Sequence, residues 1–478
     1  MKAALILATQ QFERHPALED PDIDELFVVE AEDRFRRLPY HQHKITLLLA
    51  AMRHSAARWE AEGRTVRVVP LSDGVGFAAG LERLVRDRRP DGLAWMGATD
   101  LGVDERLSAL CARWGLRTRV YPDGLFLTPA EEVDGWFAEH PAPRMEDFYR
   151  WQRRRTGLLM DGGRPAGRRW NFDADNRKPL PRGGVVVPAL PAAEHDGITA
   201  GVIAEVGERF AEHPGDASEF WLPVTPDEAR TWLDAFVAER LADFGPYEDA
   251  MARDEPFLFH SVLSSSLNIG LLTAHDVADA VAQHASASLA SREGFVRQVI
   301  GWREYMRGVY RAHPELADAN ALGLHRRLES YWYTGRRIPR DLPEPVRVVL
   351  ERVHRWGYAH HIERLMVLGN WLLLRGYAPR EVTRWFSALF VDAYEWVMVP
   401  NVMGMSQWAD GGLVATKPYV SGGAYLQKMG HWWESDAAAR DSAFTTAYWD
   451  FLAANEDALA GNPRMALALA QMRARRDA

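Results

Sequence analysis

Apolar positions in the first 130 residues fall into short runs, separated by longer stretches where they recur every three or four places. The runs at 4–7, 26–29, 66–69, 93–96 and 119–121 predict strands. Between the second and third, residues 43–62 place Ile45, Leu48, Leu49 and Met52 at helical spacing. Strands alternating with crossover helices predict a parallel sheet covered on both faces, a Rossmann-like α/β domain over residues 1–135. No GxGxxG loop follows a strand, so this fold alone points to no dinucleotide.

The pattern then changes. Residues 141–193 gather proline and glycine (Pro141, Pro143, Gly162, Gly163, Pro165, Gly167, Pro179, Pro181, Gly183, Gly184) around a basic run, Arg153-Arg154-Arg155. This reads as a crossing linker, 136–198, with one short helix inside it. The arginines suit either a solvated helix face or a nucleic-acid contact. From 199 to 478 the chain reads as helical. Thr225-Pro226-Asp227-Glu228 has the form of a capping box with proline at the first helical position. The stripe Trp232, Leu233, Phe236, Val237 and Leu241 follows it, and further stripes lie at 295–309, 346–353, 362–374, 382–390 and 448–452. No period of about 20 to 50 residues marks a solenoid.

With 478 residues, 47% of them hydrophobic, the chain can bury two or more cores. A net charge of −9 excludes a blanket polycation and leaves room for a local basic groove. The single cysteine, Cys111, excludes an intrachain disulfide and any site built on several thiolates. Residues 1–11 lack the form of a signal peptide, and no apolar run is long enough to span a membrane. A cytoplasmic protein, monomer or homodimer, is the expectation. The 18 tryptophans are unusual; they suit core packing or, with motif support, electron transfer.

Several segments supply that support. They are Phe148-Tyr149-Arg150, Arg155-Thr156-Gly157-Leu158-Leu159-Met160, Arg169-Trp170-Asn171-Phe172-Asp173 and Asn176-Arg177-Lys178-Pro179-Leu180. Phe257-Leu258-Phe259-His260-Ser261, Gly301-Trp302-Arg303-Glu304-Tyr305 and Tyr358-Ala359-His360-His361 follow. Asp392-Ala393-Tyr394-Glu395-Trp396, Ala409-Asp410-Gly411-Gly412 and Gly461-Asn462-Pro463-Arg464-Met465 complete the order. Taken together, the set resembles the iron–sulfur bacterial cryptochromes and photolyases, also called prokaryotic (6-4) photolyases, from about residue 44 to 466. The resemblance implies a photolyase fold: an antenna-like α/β domain and an all-helical domain binding FAD in a bent form.

It also implies which residues surround the flavin. Ser264, Ser265 and Ser266, with His260, Ser261 and Leu263 before them, form a hydroxyl-rich turn. Hydroxyls and N–H groups at a helix start can hold a diphosphate, although an N-cap would need only one serine. Gln298, Trp302 and Arg303 come next; Arg303 either balances phosphate charge or pairs with a neighbour such as Glu304. Asp392 lies in an apolar helical stretch and needs a partner, a ribityl hydroxyl or Arg364. Met398, Asn401 and His361 complete the cofactor set. His360 and His361, about 100° apart on a helix, cannot chelate one metal side by side. As imidazoles they suit proton donation at a lesion pocket, with Tyr419 and Tyr425 beside them or merely packing.

Three features depart from the pattern. The family's four cluster cysteines fall near Pro345 and at Trp433, Asp436 and Ser442, so no iron–sulfur cluster and no other metal is expected. A flavin-facing glutamate is replaced by Met398, which removes a proton source. Of the electron relay, Trp385 is kept, Phe386 stands where tyrosine is common and Tyr333 where tryptophan is. Thr9-Gln10 replaces an Asp-Gln pair, which weakens the case for a lumazine-type antenna although Glu30 is retained. Three functions follow: light-driven repair of (6-4) lesions in DNA, flavin chemistry on a small molecule, or blue-light signalling.

Overall fold

A computed structural model describes residues 1–477. Five strands, β1 (Lys2–Leu5), β2 (Glu25–Val29), β3 (Thr65–Val69), β4 (Gly92–Met96) and β5 (Arg117–Tyr121), form an all-parallel sheet in the order β3-β2-β1-β4-β5. β1 and β5 begin two residues before the apolar runs that mark them. Their first residues, Lys2 and Arg117, are polar and join the sheet through the backbone, each beside Gly92 in β4. β2 and β4 are buried along their whole length, which is why they read as continuous apolar runs.

The helix Gln42–Ala61 joins the sheet to the rest of the molecule. Fourteen of its 20 residues are buried, and it packs on the helix Gly197–Arg209. Helix Ala130–Glu139 runs across position 135. Its Trp136 meets Phe148 edge-on, and Phe137 packs at a tilt against Phe148 and Tyr305. The Pro/Gly-rich segment holds helix Met145–Thr156 and a two-residue hairpin, Met160–Asp161 against Arg164–Pro165. Of its basic run, Arg153 is buried and donates to the carbonyls of Leu158, Leu159 and Trp170. Arg155 pairs with Glu132, and Arg154 lies 4.9 Å over the Trp170 ring. These arginines hold the loop.

The remainder is helical. The capping box forms as the sequence predicts: Glu228 N–H donates to Thr225 Oγ1 at 3.3 Å, and Thr225 N–H to Glu228 Oε2 at 3.0 Å. Wide π-type turns interrupt the helices at Phe236–Arg240, Arg297–Arg303, Glu363–Gly369 and Val399–Ser406. Such turns rotate the following side chains off the regular face and are frequent at functional sites. Here the last three carry Arg303, Arg364 and Asn401. Among the described residues no helix is long and apolar enough to cross a membrane.

Candidate functional site

Asp392 follows helix Pro379–Leu389 and lies fully inside the helical part. Arg364, on the wide turn, reaches it with both guanidinium nitrogens, at 2.9 and 3.0 Å. Ser264 Oγ donates to the same carboxylate at 2.6 Å. Burial alone would raise the Asp392 carboxyl, but the Arg364 charge and these donors hold it below its ordinary value. Asn268 Nδ2 donates to the Asp392 carbonyl, and its Oδ1 accepts from Arg303 at 3.3 Å. Ser264, Asn268, Arg303, Arg364 and Asp392 are thus one connected clamp. Of the two partners the sequence offers Asp392, the structure supplies Arg364.

Arg303 does not form its main contact with Glu304. Glu304 accepts instead from the backbone of Leu127 and Thr128, tying the helical part to the segment after β5. Burial pulls Arg303 down to about 10. Ser265 and Ser266 are buried with hydroxyls that have no partner. Leu263 N–H faces Ser261 Oγ at 3.5 Å. Gln298 and Asn401 bond to carbonyls of their own helices, Gly294 and Val397; Trp302 meets Tyr305 edge-on and Met398 is buried in the apolar core. The structure does not bring these four into the clamp.

The histidines form a second group beside it. His260 and His360 stack at 4.3 Å, nearly parallel, and His361 meets His260 edge-on at 5.3 Å. His360 is fully buried, its nitrogens unpartnered, and burial drives its pKa well below the ordinary value, so it is neutral at pH 7. His361 is half exposed, with Nε2 3.6 Å from the Asp249 carboxylate. Asp249 also faces Arg177 at 3.5 Å, and the charges of both act on Tyr419 and Tyr425. Position in the fold therefore separates two adjacent histidines into a buried stacking partner and an accessible, carboxylate-backed one.

Sequence reasoning missed Asp249, Arg352 and Glu363. Glu363 is fully buried, bonds Arg352 and lies 3.5 Å from His360 Nε2. Burial, against the pull of Arg352, raises its carboxyl to about 7. A raised folded pKa means the native state holds the extra proton between about 4.5 and 7, so stability falls as pH rises through that window. Glu363→Gln is expected to flatten this slope, which is on the order of 1.4 kcal/mol per pH unit at most. Urea unfolding at pH 5 and pH 7.5 would check it; equal slopes in both proteins would refute it.

In the α/β domain Glu30 is closed on Arg53 through two bonds, at 2.8 and 2.7 Å, and accepts the Leu71 N–H. Gln10 donates to Met96 and Gly97 carbonyls. Nearby, a cavity of about 1020 Å³ opens at the carboxyl ends of β1, β2 and β4 toward the helical part. Lys44, Asp100, Tyr394 and Glu395 line it, whereas Ser264, Arg364, Asp392 and His360 do not. At the positions aligned with cluster cysteines, Ser442 caps helix Ala443–Ala454 and Trp433 packs against the apolar core.

A parallel-sheet domain fused to a helical domain is the fold of the photolyase and cryptochrome class. Solved structures agree on the fold. A bacterial class III photolyase from Agrobacterium tumefaciens superposes with a TM-score of 0.58 at 16% identity, over 96% of this chain and 91% of that one. A Synechocystis cryptochrome gives 0.56 at 12%, over 90% and 88%. An archaeal photolyase from Sulfolobus tokodaii, solved with two FAD molecules, gives 0.54 at 14%, over 89% and 87%.

Sequence comparison is more specific. Residues 4–222 match the family model described as deoxyribodipyrimidine photo-lyase-related protein. A (6-4) photolyase from Agrobacterium fabrum is 38% identical over 97% of this chain and 93% of its own length. The chain belongs to this photolyase-related family.

Proposed function

We propose that this protein is a flavin-dependent photolyase acting on (6-4) pyrimidine lesions in DNA. The observation that carries the reading is the accessible His361–Asp249 pair, beside Tyr419 and Tyr425 and backed by the buried His260–His360 stack. The donor chemistry suits FAD. Ser265, Ser266 and His260 present buried polar atoms without partners, and Arg303 and Arg364 supply positive charge for a diphosphate. When bound, the flavin supplies the light-driven electron. The chain's own part is to hold that cofactor through the clamp, to accept the flipped-out lesion and to present His361 Nε2 to it. Asp249, 3.6 Å from that nitrogen, positions the ring. Tyr419 and Tyr425 offer ring faces and hydroxyls to the lesion.

The test is direct. Protein with flavin confirmed by absorbance, reduced and illuminated, is expected to restore (6-4) lesion-containing DNA, single- or double-stranded. Lesions left unchanged under those conditions refute the reading. Met398, buried in apolar core where the resemblance implies an acid, favours a second reading: flavin chemistry on a small molecule. That reading requires no affinity for lesion DNA even at low salt, where phosphate contacts are strongest.

A further inference from the structure

Glu363 and Arg364 are neighbours on one wide turn, yet they face different partners. Arg364 closes on Asp392, whereas Glu363 Oε1 accepts from Arg352 Nη1. Glu363 is fully buried, and its second oxygen, Oε2, has no partner among the described residues. His360 Nε2 lies 3.5 Å from Glu363 Oε1, and neither ring nitrogen of His360 has a hydrogen bond there. The His360 carbonyl accepts the Arg364 backbone N–H at 3.0 Å, and the Ala359 carbonyl accepts from Arg364 Nε at 2.6 Å. His360 therefore adjoins the clamp. The charged and titratable groups around the pair are Arg352 from helix Glu344–Trp356, Asp249, His260, His361 and Arg364. Of the two buried acids here, Asp392 is held as a carboxylate by Arg364 and Ser264. Glu363 is the one left to carry a proton.

We propose that Glu363 is the proton reserve of the flavin site, a positioning residue that acts through His360 and fills the place Met398 leaves empty. This rests on the flavin reading of the clamp. At rest the acid holds the proton, because burial raises its carboxyl to about 7 against the pull of Arg352. Its oxygen faces His360 Nε2 across 3.5 Å, a separation of the kind that tightens once a ligand fills the site. With the acid's proton directed at Nε2, the ring's own proton stands on Nδ1. When negative charge arrives beside the clamp on reduction, the His360 Nδ1–H bond breaks and that proton goes to the reduced cofactor. The Glu363 O–H bond breaks in the same step, and its proton goes to Nε2. No electron moves in this exchange, and one proton enters the ring as another leaves. His360 stays neutral throughout, as its burial requires. The only new charge is the Glu363 carboxylate, which Arg352 already holds.

The experiment uses the full-length protein in two arms. The infrared difference between wild type and Glu363→Gln is expected to isolate a protonated-carboxyl band that disappears as pH rises through about 7. Glutamine has the shape of the protonated acid, so this variant is expected to fold. In the second arm, flavin-loaded protein is reduced with dithionite, and the flavin absorbance reports when the proton arrives. Glu363→Gln is expected to slow that arrival by about a hundredfold, the order of effect of losing a positioned acid. In wild type the rate should fall as pH rises through about 7, and in Glu363→Gln it should be flat. His361 is present in both proteins, so the comparison isolates Glu363. Equal rates in the two proteins overturn the proposal, and so does a carboxyl band that does not titrate. Protein that cannot be loaded with flavin instead sinks the reading of the clamp itself, and the proposal falls with it.

Discussion

Asp392→Asn is expected to yield protein that is colourless and less stable by about 3–5 kcal/mol, the cost of leaving a buried charge unpaired. The carboxylate accepts two bonds from Arg364 and one from Ser264, and its side chain is only 7% exposed. An asparagine keeps the shape but removes the negative charge, so Arg364 is left without a counterion. Arg364 retains 17% exposure, and water there places the loss toward the lower end. Flavin content and urea unfolding measure the two effects separately. Adding Arg364→Leu to the variant is expected to recover part of the stability without recovering flavin, because the uncompensated charge is gone while the clamp stays broken. A yellow, fully stable single variant would show that the acid neither anchors Arg364 nor shapes the site.

His361→Asn is expected to reduce repair of (6-4) lesions by a factor of about 100 to 10,000, the usual contribution of a positioned general acid. Flavin content should be unchanged, since His361 lies outside the clamp and is half exposed. Asp249→Asn is expected to lower repair per bound flavin as well, because it removes the carboxylate 3.6 Å from His361 Nε2 that positions the ring. His360→Asn should act differently. His360 is buried and neutral, so its loss disturbs the stack with His260 and lowers stability along with activity. Equal repair by wild type and His361→Asn, measured per bound flavin, would take the proton donor away from this residue.

Some of this was legible before any coordinates. β2 and β4 could be read because parallel strands buried on both faces leave continuous apolar runs. The capping box could be read because its partners stand three residues apart and need only each other. Ordered motifs pointed to the family, and Ser264, Arg364 and Asp392 came with them. Asp249 was not legible: it meets His361 across 112 positions, and nothing near it in the chain marks it as functional. Glu363 looked like one more polar residue on a helix until the wide turn carried it inward toward Arg352. Adjacent letters, His360 and His361, could be said to diverge, but not which would be buried.

The chain's local order by itself determined the parallel sheet, the helical remainder, the absence of a thiolate set and the family. The sheet and helices come from periodicity and short-range pairing, the missing thiolates from residue counts and the family from the resemblance of its ordered motifs, all of which survive in one dimension. Tertiary structure alone decided that Arg364 closes on Asp392, that His361 meets Asp249 while buried His360 faces Glu363, and that Trp332 rather than Tyr333 stands beside Trp385. Each of those outcomes depends on which distant side chains share a low-dielectric space. There an unpaired charge or an unmatched ring face is costly, and only packing from several elements at once settles who meets whom.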